Sequence, residues 1–439
     1  MSVTTQPELR EASGSLSDME ALRRSAIRKA TWRLVPILAV AYIISYMDRT
    51  NVGFAALTMN RDLGLSATQF GTAAGIFFLG YSIFEIPSNL ALYRFGARRW
   101  LARVMISWGL VAAAMAFVTG LKSYYLIRCL LGITEAGFFP GTVYYISTWF
   151  PVQHRARVIA WFMLALPISA VVGGPISSSL LQMNGLLHLA GWQWLFIIEG
   201  VPACICGFIT LFVLCDSPRD AKWLTAAERD ALMSTLGEEK RERAKHSFLA
   251  ALKDVRVVIL TVVVFFWMIG IVGVAMWTPL FLKSHGHLSN LQIGFLTAIP
   301  SLAACVVMVP CARLADRSRK YIRYFVLAGL VSAAGFMLSV MFNSLLPAMI
   351  GLTAAIVGIC AMRPPFYAMP SRFLTGAAMA GGIGVINGLG NFGSFFGPWM
   401  IGWLKDLTGG YRAGMYAMSG ALLIAVLLML SLKFVVKEE

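Results

Sequence analysis

Long apolar runs alternate with short polar breaks along almost the whole chain. Runs of about 20 residues, enough to cross roughly 30 Å of hydrocarbon at about 1.5 Å per residue, fall near 34–54, 69–92, 100–120, 123–149, 158–182, 192–214, 257–282, 290–312, 321–342, 345–369, 378–403 and 411–434. They predict twelve spanning helices in two groups of six. Residues 216–256 form the one long polar break, in which Thr225-Ala-Ala-Glu228 reads as a capping box opening a solvated, charged helix to about Lys245. Residues 1–33 are polar and basic, and Ser17-Asp-Met-Glu20 predicts a short surface helix running through Arg33. No short apolar segment with a small-residue cleavage site opens the chain, so this tail is expected to remain and to lie in the cytoplasm. The expected organisation is a tail (1–33), a first six-helix bundle (34–215), a cytoplasmic linker (216–256), a second bundle (257–434) and a cytoplasmic tail (435–439).

The two groups repeat one another. NLALYRFGARRW (Asn89 to Trp100) has a counterpart in ARLADRSRKY (Ala312 to Tyr321), 223 residues later, and the same offset relates Gly174-Pro175 to Gly397-Pro398. Two unrelated landmarks with one offset indicate a duplicated six-helix unit in parallel orientation. The fold class expected is an all-α membrane protein of twelve transmembrane helices in two pseudo-symmetric six-helix bundles.

Composition agrees, since 58% of residues are hydrophobic and 13% charged, against roughly 25% charged in soluble domains. The formal charge of +16 would suit nucleic acid, but its distribution argues against that partner. With both termini inside, only Arg61, Lys122, Lys283, Lys405 and Arg412 fall in outer segments and Arg49, Arg128 and Arg363 well within spans. The remainder lie on the cytoplasmic side, the usual bias of a multi-pass protein of the inner (cytoplasmic) membrane, facing anionic membrane lipid. The seven cysteines sit in or beside apolar runs without a pairing pattern, and Cys204 and Cys206 point to different helix faces, so neither disulfide nor metal is expected. No Ser-His-Asp set, metal-ligand cluster or nucleotide loop is apparent, and all five histidines fall in expected loops. Neither enzyme activity nor a cofactor is expected.

Polar residues inside the spans carry the candidate chemistry. Asp48 and Arg49 stand side by side in the first span, with Tyr46 before them and Asn51 after. A charge at bilayer depth costs at least about 2.5 kcal/mol, so such residues face a protein interior or a water-filled cavity. Adjacent helical residues lie about 100° apart, which predicts a division of labour, Arg49 toward a ligand and Asp48 toward a proton path. Arg128 and Glu135 in span four are seven apart, hence on one face, Arg128 near the outer mouth and Glu135 nearer the midplane, and form either a salt bridge bracing span one or part of the same charged interior. Tyr81 on span two and Glu85 follow. Glu85 and Glu199, near span ends, are expected to pair with the arginine-rich turn on the cytoplasmic side. In span ten, Arg363-Pro-Pro precedes Tyr367, and Arg363 either faces the cavity as a second cationic point, suiting two carboxylates, or caps carbonyls freed by the prolines. Asn387 and Asn391, four apart in span eleven, bind a ligand or act as interhelical glue. Trp161, Trp267, Trp277, Phe366 and Tyr367 are candidate linings of an aromatic-friendly cavity.

The basic turns and the six-plus-six arrangement resemble the major facilitator superfamily. YMDRTNVGFA, FEIPSN, RFGARRW, GITEAGFFPG, YYISTWFP, WQWLFIIEG, SPRDAKWLTAAER and INGLGNFG together resemble its anion:cation symporter family, relatives of bacterial tartrate, galactonate, phthalate and hydroxyphenylacetate transporters, over nearly all of the chain. The resemblance implies a monomeric, proton-coupled symporter that imports a small organic anion, with Asp48 and Glu135 as protonation sites. It implies substrate contacts by Tyr46 and Tyr81, beside candidates Arg49, Arg128, Arg363, Tyr367, Asn387 and Asn391. Arg94, Arg98, Asp316 and Arg317 in the two basic turns are expected to gate or brace the halves. Arg363 departs from the small residues expected of the family there. Two rivals remain. A drug:proton antiporter of the same superfamily would need span-five glycines where Trp161 and Ala170 stand, and a nutrient sensor would normally carry a large signalling domain in place of this linker.

Overall fold

A computed structural model of the protein describes residues 6–243, 254–370, 373 and 376–432. The C-terminal tail 435–439 and the expected helix end at Lys245 lie outside the described residues. Among the described residues, eleven helices or helix pairs are long and apolar enough to cross a membrane, and the helix pair Gly376–Gly390 and Gly393–Thr408 stands at the expected place of the twelfth. Span one belongs to Gln6–Asp62, span two is Ala67–Phe95, span three Ala97–Ala114, and span four Leu121–Glu135 with Phe138–Trp149. Span five is Val152–Met163 with Ala165–Leu180, and span six Gly191–Val213. After the linker helix Ala226–Arg243 come span seven Val255–Lys283, span eight Asn290–Ser318, span nine Tyr321–Met341, span ten Leu345–Ala361 with Arg363–Ala368, span eleven as given, and span twelve Arg412–Ser431.

Span one differs from expectation. Its helix runs unbroken for 57 residues, about 85 Å at about 1.5 Å per residue, so the capping box at Ser17 does not start it and no separate surface helix exists. A cap is a local signal, whereas adding a residue to a helix already nucleated needs only one further hydrogen bond. The part of this helix beyond the apolar run packs on the linker helix. Lys29 Nζ donates to Glu228 Oε2 at 2.9 Å and Ser25 Oγ to Oε1 at 2.7 Å. Thr225 and Glu228 cap each other as expected, Thr225 N–H to Glu228 Oε2 at 3.0 Å and Glu228 N–H to Thr225 Oγ1 at 3.2 Å. The linker helix is therefore docked, not free in solvent. Trp223 reinforces it, stacked on Trp149 at 5.6 Å and capped by the Arg33 guanidinium at 5.6 Å.

The halves meet at the end opposite the termini, through spans one with seven, two with eleven and five with eight. A Cβ on Gly53 would reach the Met276 carbonyl oxygen at 2.6 Å, one on Gly71 the Pro398 oxygen at 2.2 Å, and one on Gly294 the Gly174 oxygen at 2.6 Å. Gly71 and Gly294 are separated by the same 223 residues as the repeated landmarks, so the two-to-eleven and eight-to-five contacts are related by the pseudo-twofold axis. Asp406 near the end of span eleven clamps this seam: its carboxylate accepts the Ala67 N–H at 3.1 Å and the Thr68 N–H at 2.7 Å, capping span two of the other half. Each glycine contact between halves among the described residues lies on this side of the molecule.

The two basic turns are not bonded alike. Arg98 donates its backbone N–H to Asp216 Oδ1 at 2.8 Å and its Nε to the Leu211 carbonyl at 2.6 Å. Asp216 lies 2.9 Å from where a Cβ on Gly96 would stand, and Gly96 has φ +86°, so this turn requires glycine twice over. Arg94 lies over the Phe95 ring at 5.7 Å. Asp316 and Arg317, in the turn of the second half, are exposed and make no ion pair among the described residues.

Two outcomes follow for stability. Asp406→Ala removes an acceptor from an exposed helix N-terminus, worth about 0.5–1 kcal/mol, and is expected to shift the seam toward its open form by roughly two- to fivefold. Distances between spin labels at Arg61 and Ser344 check this, and an unchanged distribution refutes it. For Glu228, burial disfavours the charge, but bonds from Lys29, the Thr225 N–H and Ser25 outweigh it and hold the carboxyl at about 2. A depressed carboxyl stabilises the docked state above its unfolded value of 4.5 and loses that contribution as pH falls toward about 2. Glu228→Gln is expected to loosen the linker helix at neutral pH by about 1.5–3 kcal/mol, read as faster limited proteolysis between the halves.

Candidate functional site

Span one carries the site because its polar residues recur at helical spacing among apolar ones. Ser45, Asp48 and Asn51 turn inward and are buried, while Tyr46 and Arg49 lie on a more open flank. Asp48 is 1% exposed, and the Arg49 side chain 17%.

Span four is broken where it meets this face. Its first helix stops at Glu135, and Gly137, at φ +85°, turns the chain into the second. A Cβ at Gly137 would reach Ser88 Oγ at 2.4 Å, so both the turn and the approach to span two require glycine. The break presents Glu135, fully buried, to span one. Glu135 Oε1 accepts Ser45 Oγ at 2.6 Å and Arg49 Nε at 2.7 Å. Only one point of the Arg49 fork is used. Arg49 Nη2 and Glu135 Oε2 are buried without a hydrogen-bond partner. The Tyr81 ring lies 4.6 Å beneath the Arg49 guanidinium, with Phe77 at 5.7 Å, so the buried Tyr81 holds the cation's position as a cation–π partner.

Arg128 is placed differently from its expected role near a mouth. It is fully buried, donates from Nε and Nη2 to the Ala73 and Ala74 carbonyls at 3.3 and 3.4 Å, and lies over Phe77 at 4.9 Å. It makes no direct ion pair with Glu135 among the described residues, so neither the bracing salt bridge nor direct access to the open side is realised.

Asp48 points away from Arg49. Its Oδ2 accepts Trp108 Nε1 at 2.7 Å, and Asn51 Nδ2 approaches Oδ1 at 3.4 Å. The same Asn51 nitrogen donates to Glu199 Oε2 at 2.9 Å, and Ser177 Oγ donates to Glu199 Oε1 at 2.7 Å. Glu199 is thus an interior residue and not a partner of the arginine-rich turn. Its register along span six, nearer Gly191 than Val213, already places it away from that turn. Glu85 likewise makes no ion pair with the turn among the described residues; the cation within its electrostatic range is Arg49.

The second half contributes fewer groups. Span ten breaks at Met362, and Arg363 begins the short helix that follows. Arg363 is partly exposed and lies within electrostatic range of Tyr42 and Tyr46 across the seam and of Cys360 and Tyr367 on its own span. It has no carboxylate partner among the described residues. Tyr367, 44% exposed, donates its hydroxyl to Asn387 Oδ1 at 3.3 Å. Span eleven breaks after Gly390, so Asn391 sits in the turn and does not continue the helical face of Asn387. Trp267, Trp277 and Phe366 are buried in packing contacts, and Trp161 is exposed.

Sequence reading missed Ser45, Trp108 and Ser177 as partners of the carboxylates, and Tyr42. Their bonds cross between spans, and no spacing along one helix announces them. The arrangement as a whole offers an arginine fork with spare donors and, on the other half, a second arginine without a carboxylate partner among the described residues, both within electrostatic range of Tyr42, with three buried carboxylates on the first half. That suits reversible binding of an anion beside groups able to take up protons.

A family model described as Major Facilitator Superfamily matches residues 38–398 and 287–439. A protein of Agrobacterium vitis provisionally named a tartrate transporter is 49% identical over 95% of this chain and 92% of its own length. A quinolone resistance transporter of Acinetobacter baumannii is 40% identical over 92% of this chain and 94% of its own. Among solved structures, a bacterial homologue of the human lysosomal transporter Spinster, inward-facing and occupied, aligns with a TM-score of 0.75 at 17% identity over 91% of this chain and 96% of that one.

The close approach of spans two and four underlies the site. A Cβ on Gly132, one turn from both Arg128 and Glu135, would lie 2.0 Å from the Phe77 carbonyl oxygen and 3.0 Å from the Tyr81 nitrogen. Backbone cannot yield as a side chain can, so Gly132→Ala is expected to cost about 1–3 kcal/mol and to displace Glu135 from Arg49. A thermal melt together with anion affinity checks this, and a variant matching wild type in both refutes it.

Proposed function

The chain belongs to the Major Facilitator Superfamily, and we propose that it is a proton-coupled symporter importing a small organic carboxylate by alternating access. The observation that carries this reading is the half-used fork of Arg49, bonded to Glu135 through Nε alone with Nη2 left over, together with an Arg363 on the other half that lacks a carboxylate partner among the described residues. An entering carboxylate takes the spare donors of Arg49 in a bidentate, charge-assisted contact. It competes with Glu135 for the cation, and Glu135, once released from its ion pair with Arg49, is the first proton site. Binding of anion and proton are thereby linked. Asp48, off the anion's path, is the second proton site.

Arg363 and Arg49, one from each half, suit a substrate with two carboxylates, with Tyr46, Tyr367 and Asn387 toward hydroxyl groups on the carbon chain. Tartrate, in the name of one relative, has that chemistry. Arg128 acts from behind, through span two, and Asn391 through the hinge of span eleven. The seam of spans one, two and five against seven, eleven and eight then closes the outer side of an inner-membrane protein with both termini in the cytoplasm. The polar site opens inward, and alternation is rocking of the halves about it. The protein acts as a monomer in lipid.

The quinolone-resistance relative favours a second reading, proton-coupled export. Trp161 and Ala170, where that reading needs span-five glycines, count against it.

Purified protein in liposomes tests the proposal. An inside-alkaline gradient is expected to drive tartrate accumulation, and Asp48→Asn is expected to abolish accumulation while tartrate still binds. Arg363→Ala is expected to weaken dicarboxylate binding roughly ten- to hundredfold, the equivalent of about 1.5–3 kcal/mol for hydrogen bonds to a charge, and monocarboxylate binding much less. Moving a net charge is worth about 2.3 kcal/mol per 100 mV, so two protons with a dianion give no current and two with a monoanion give an inward positive one. Uptake indifferent to pH refutes the coupling, and fluoroquinolone efflux without tartrate uptake favours the export reading.

A further inference from the structure

Beyond the Arg49–Glu135 centre lies a second buried cluster, of which the coupling scheme uses only Asp48. Asp48 and Glu199 are 1% and 5% exposed. Both accept from the same Asn51 nitrogen, at 3.4 and 2.9 Å, so the two acceptor oxygens lie within about 6 Å of each other. Their remaining donors are neutral, the indole N–H of Trp108 from span three and the hydroxyl of Ser177 from span five. No cation bonds either carboxylate among the described residues. Span four presents Glu135 and Arg128 within electrostatic range of Asp48, but Arg128 bonds the Ala73 and Ala74 carbonyls through Nε and Nη2, its Nη1 reaching no carboxylate among the described residues, and Arg49 is held by Glu135.

Two ionised carboxylates so close, buried and without a bonded cation, repel. Asn51 records the same imbalance. With both acids ionised, its amide can only donate, and its Oδ1 is buried without a donor. One proton on either acid supplies that donor, so that the amide oxygen accepts from the acid and the amide nitrogen donates to the remaining carboxylate.

We propose that Asp48 and Glu199, bridged by Asn51, share a single proton in this conformation, making Glu199 a third proton-handling residue behind the anion site. The proposal rests on the proton-coupled reading for its role in transport, but the shared proton is a property of the resting protein. A proton entering from water binds a carboxylate oxygen of either acid, and the Asn51 amide turns its oxygen toward the acid that carries the proton and its nitrogen toward the carboxylate that does not; no proton passes through the amide itself. Asp48, off the anion's path, gains a partner that explains why it faces Trp108 and not Arg49.

Infrared titration of the purified full-length protein reads this directly through the C=O stretch of protonated carboxyl groups. The wild type is expected to keep a buried carboxyl band at neutral pH. Glu199→Gln removes the like charge, so the Asp48 carboxyl is expected to lose its proton about one pH unit or more lower. Asp48→Asn, which reads the same pair from the other side should Glu199→Gln not fold, is expected to do the same to Glu199. In liposomes the pH midpoint of tartrate uptake moves acid in Glu199→Gln by a similar amount. An unchanged midpoint of the band in the variants overturns the pair whatever the transport assay gives. A band that shifts in protein showing no proton-linked uptake upholds the pair and refutes the symport reading instead.

Discussion

Charge inside hydrocarbon has to be answered by the protein itself, and that requirement sets the construction of the first half. Asp48 and Arg49 cannot share one environment on adjacent helical positions, so each draws partners from different spans. Arg49 takes Glu135 from the broken span four and the Tyr81 ring from span two. Asp48 takes Trp108 from span three, and through Asn51 it meets Glu199 on span six. Five of the first six helices are tied to span one by these few atoms or, in the case of span five, by Ser177. Breaking a buried ion pair by removing one member leaves an uncompensated charge that costs about 3–5 kcal/mol, so positioning the site and holding the bundle are the same interaction.

The second half is built on the same unit but carries almost none of this chemistry. Its symmetry survives where backbones touch, as at Gly71 and Gly294, which meet carbonyl oxygens of spans eleven and five. It is lost in the polar interior, where Arg363 stands among tyrosines without the ion-pair network of its counterpart half. The basic turns diverge in the same way, Arg98 being bonded to Leu211 and Asp216 while Asp316 and Arg317 remain exposed. Duplication therefore fixed the scaffold and left the polar interiors of the halves free to diverge.

Spans were legible in the sequence because apolar length is a local property, and Asp48, Arg49, Arg128, Glu135 and Arg363 were legible as interior residues because lipid excludes them. Which of these meet was not legible. Trp108 and Ser177 are ordinary membrane residues until the packing brings them to a carboxylate, and Arg128, read toward a mouth, turns instead to span-two carbonyls. Glu199 was assigned to the wrong neighbourhood although its register along span six pointed elsewhere. The helix breaks at Ala136 and Met362 fall beside Gly137 and Pro364-Pro365, and the turn at Asn391 beside Gly390. In the reverse direction, the Ser17 capping box was a genuine local signal that helix propagation through span one overrode.

The docked linker has a mechanical consequence. Because Glu228 fastens the linker helix to the extension of span one, that helix travels with the first half and contributes nothing to the slack between halves. The tether that remains runs from Arg243 to Val255, about a dozen residues, whose full extension is about 40 Å at about 3.5 Å each. The chain is thus on a short leash: should the seam part, each half stays within reach of its own partner and not of another molecule's.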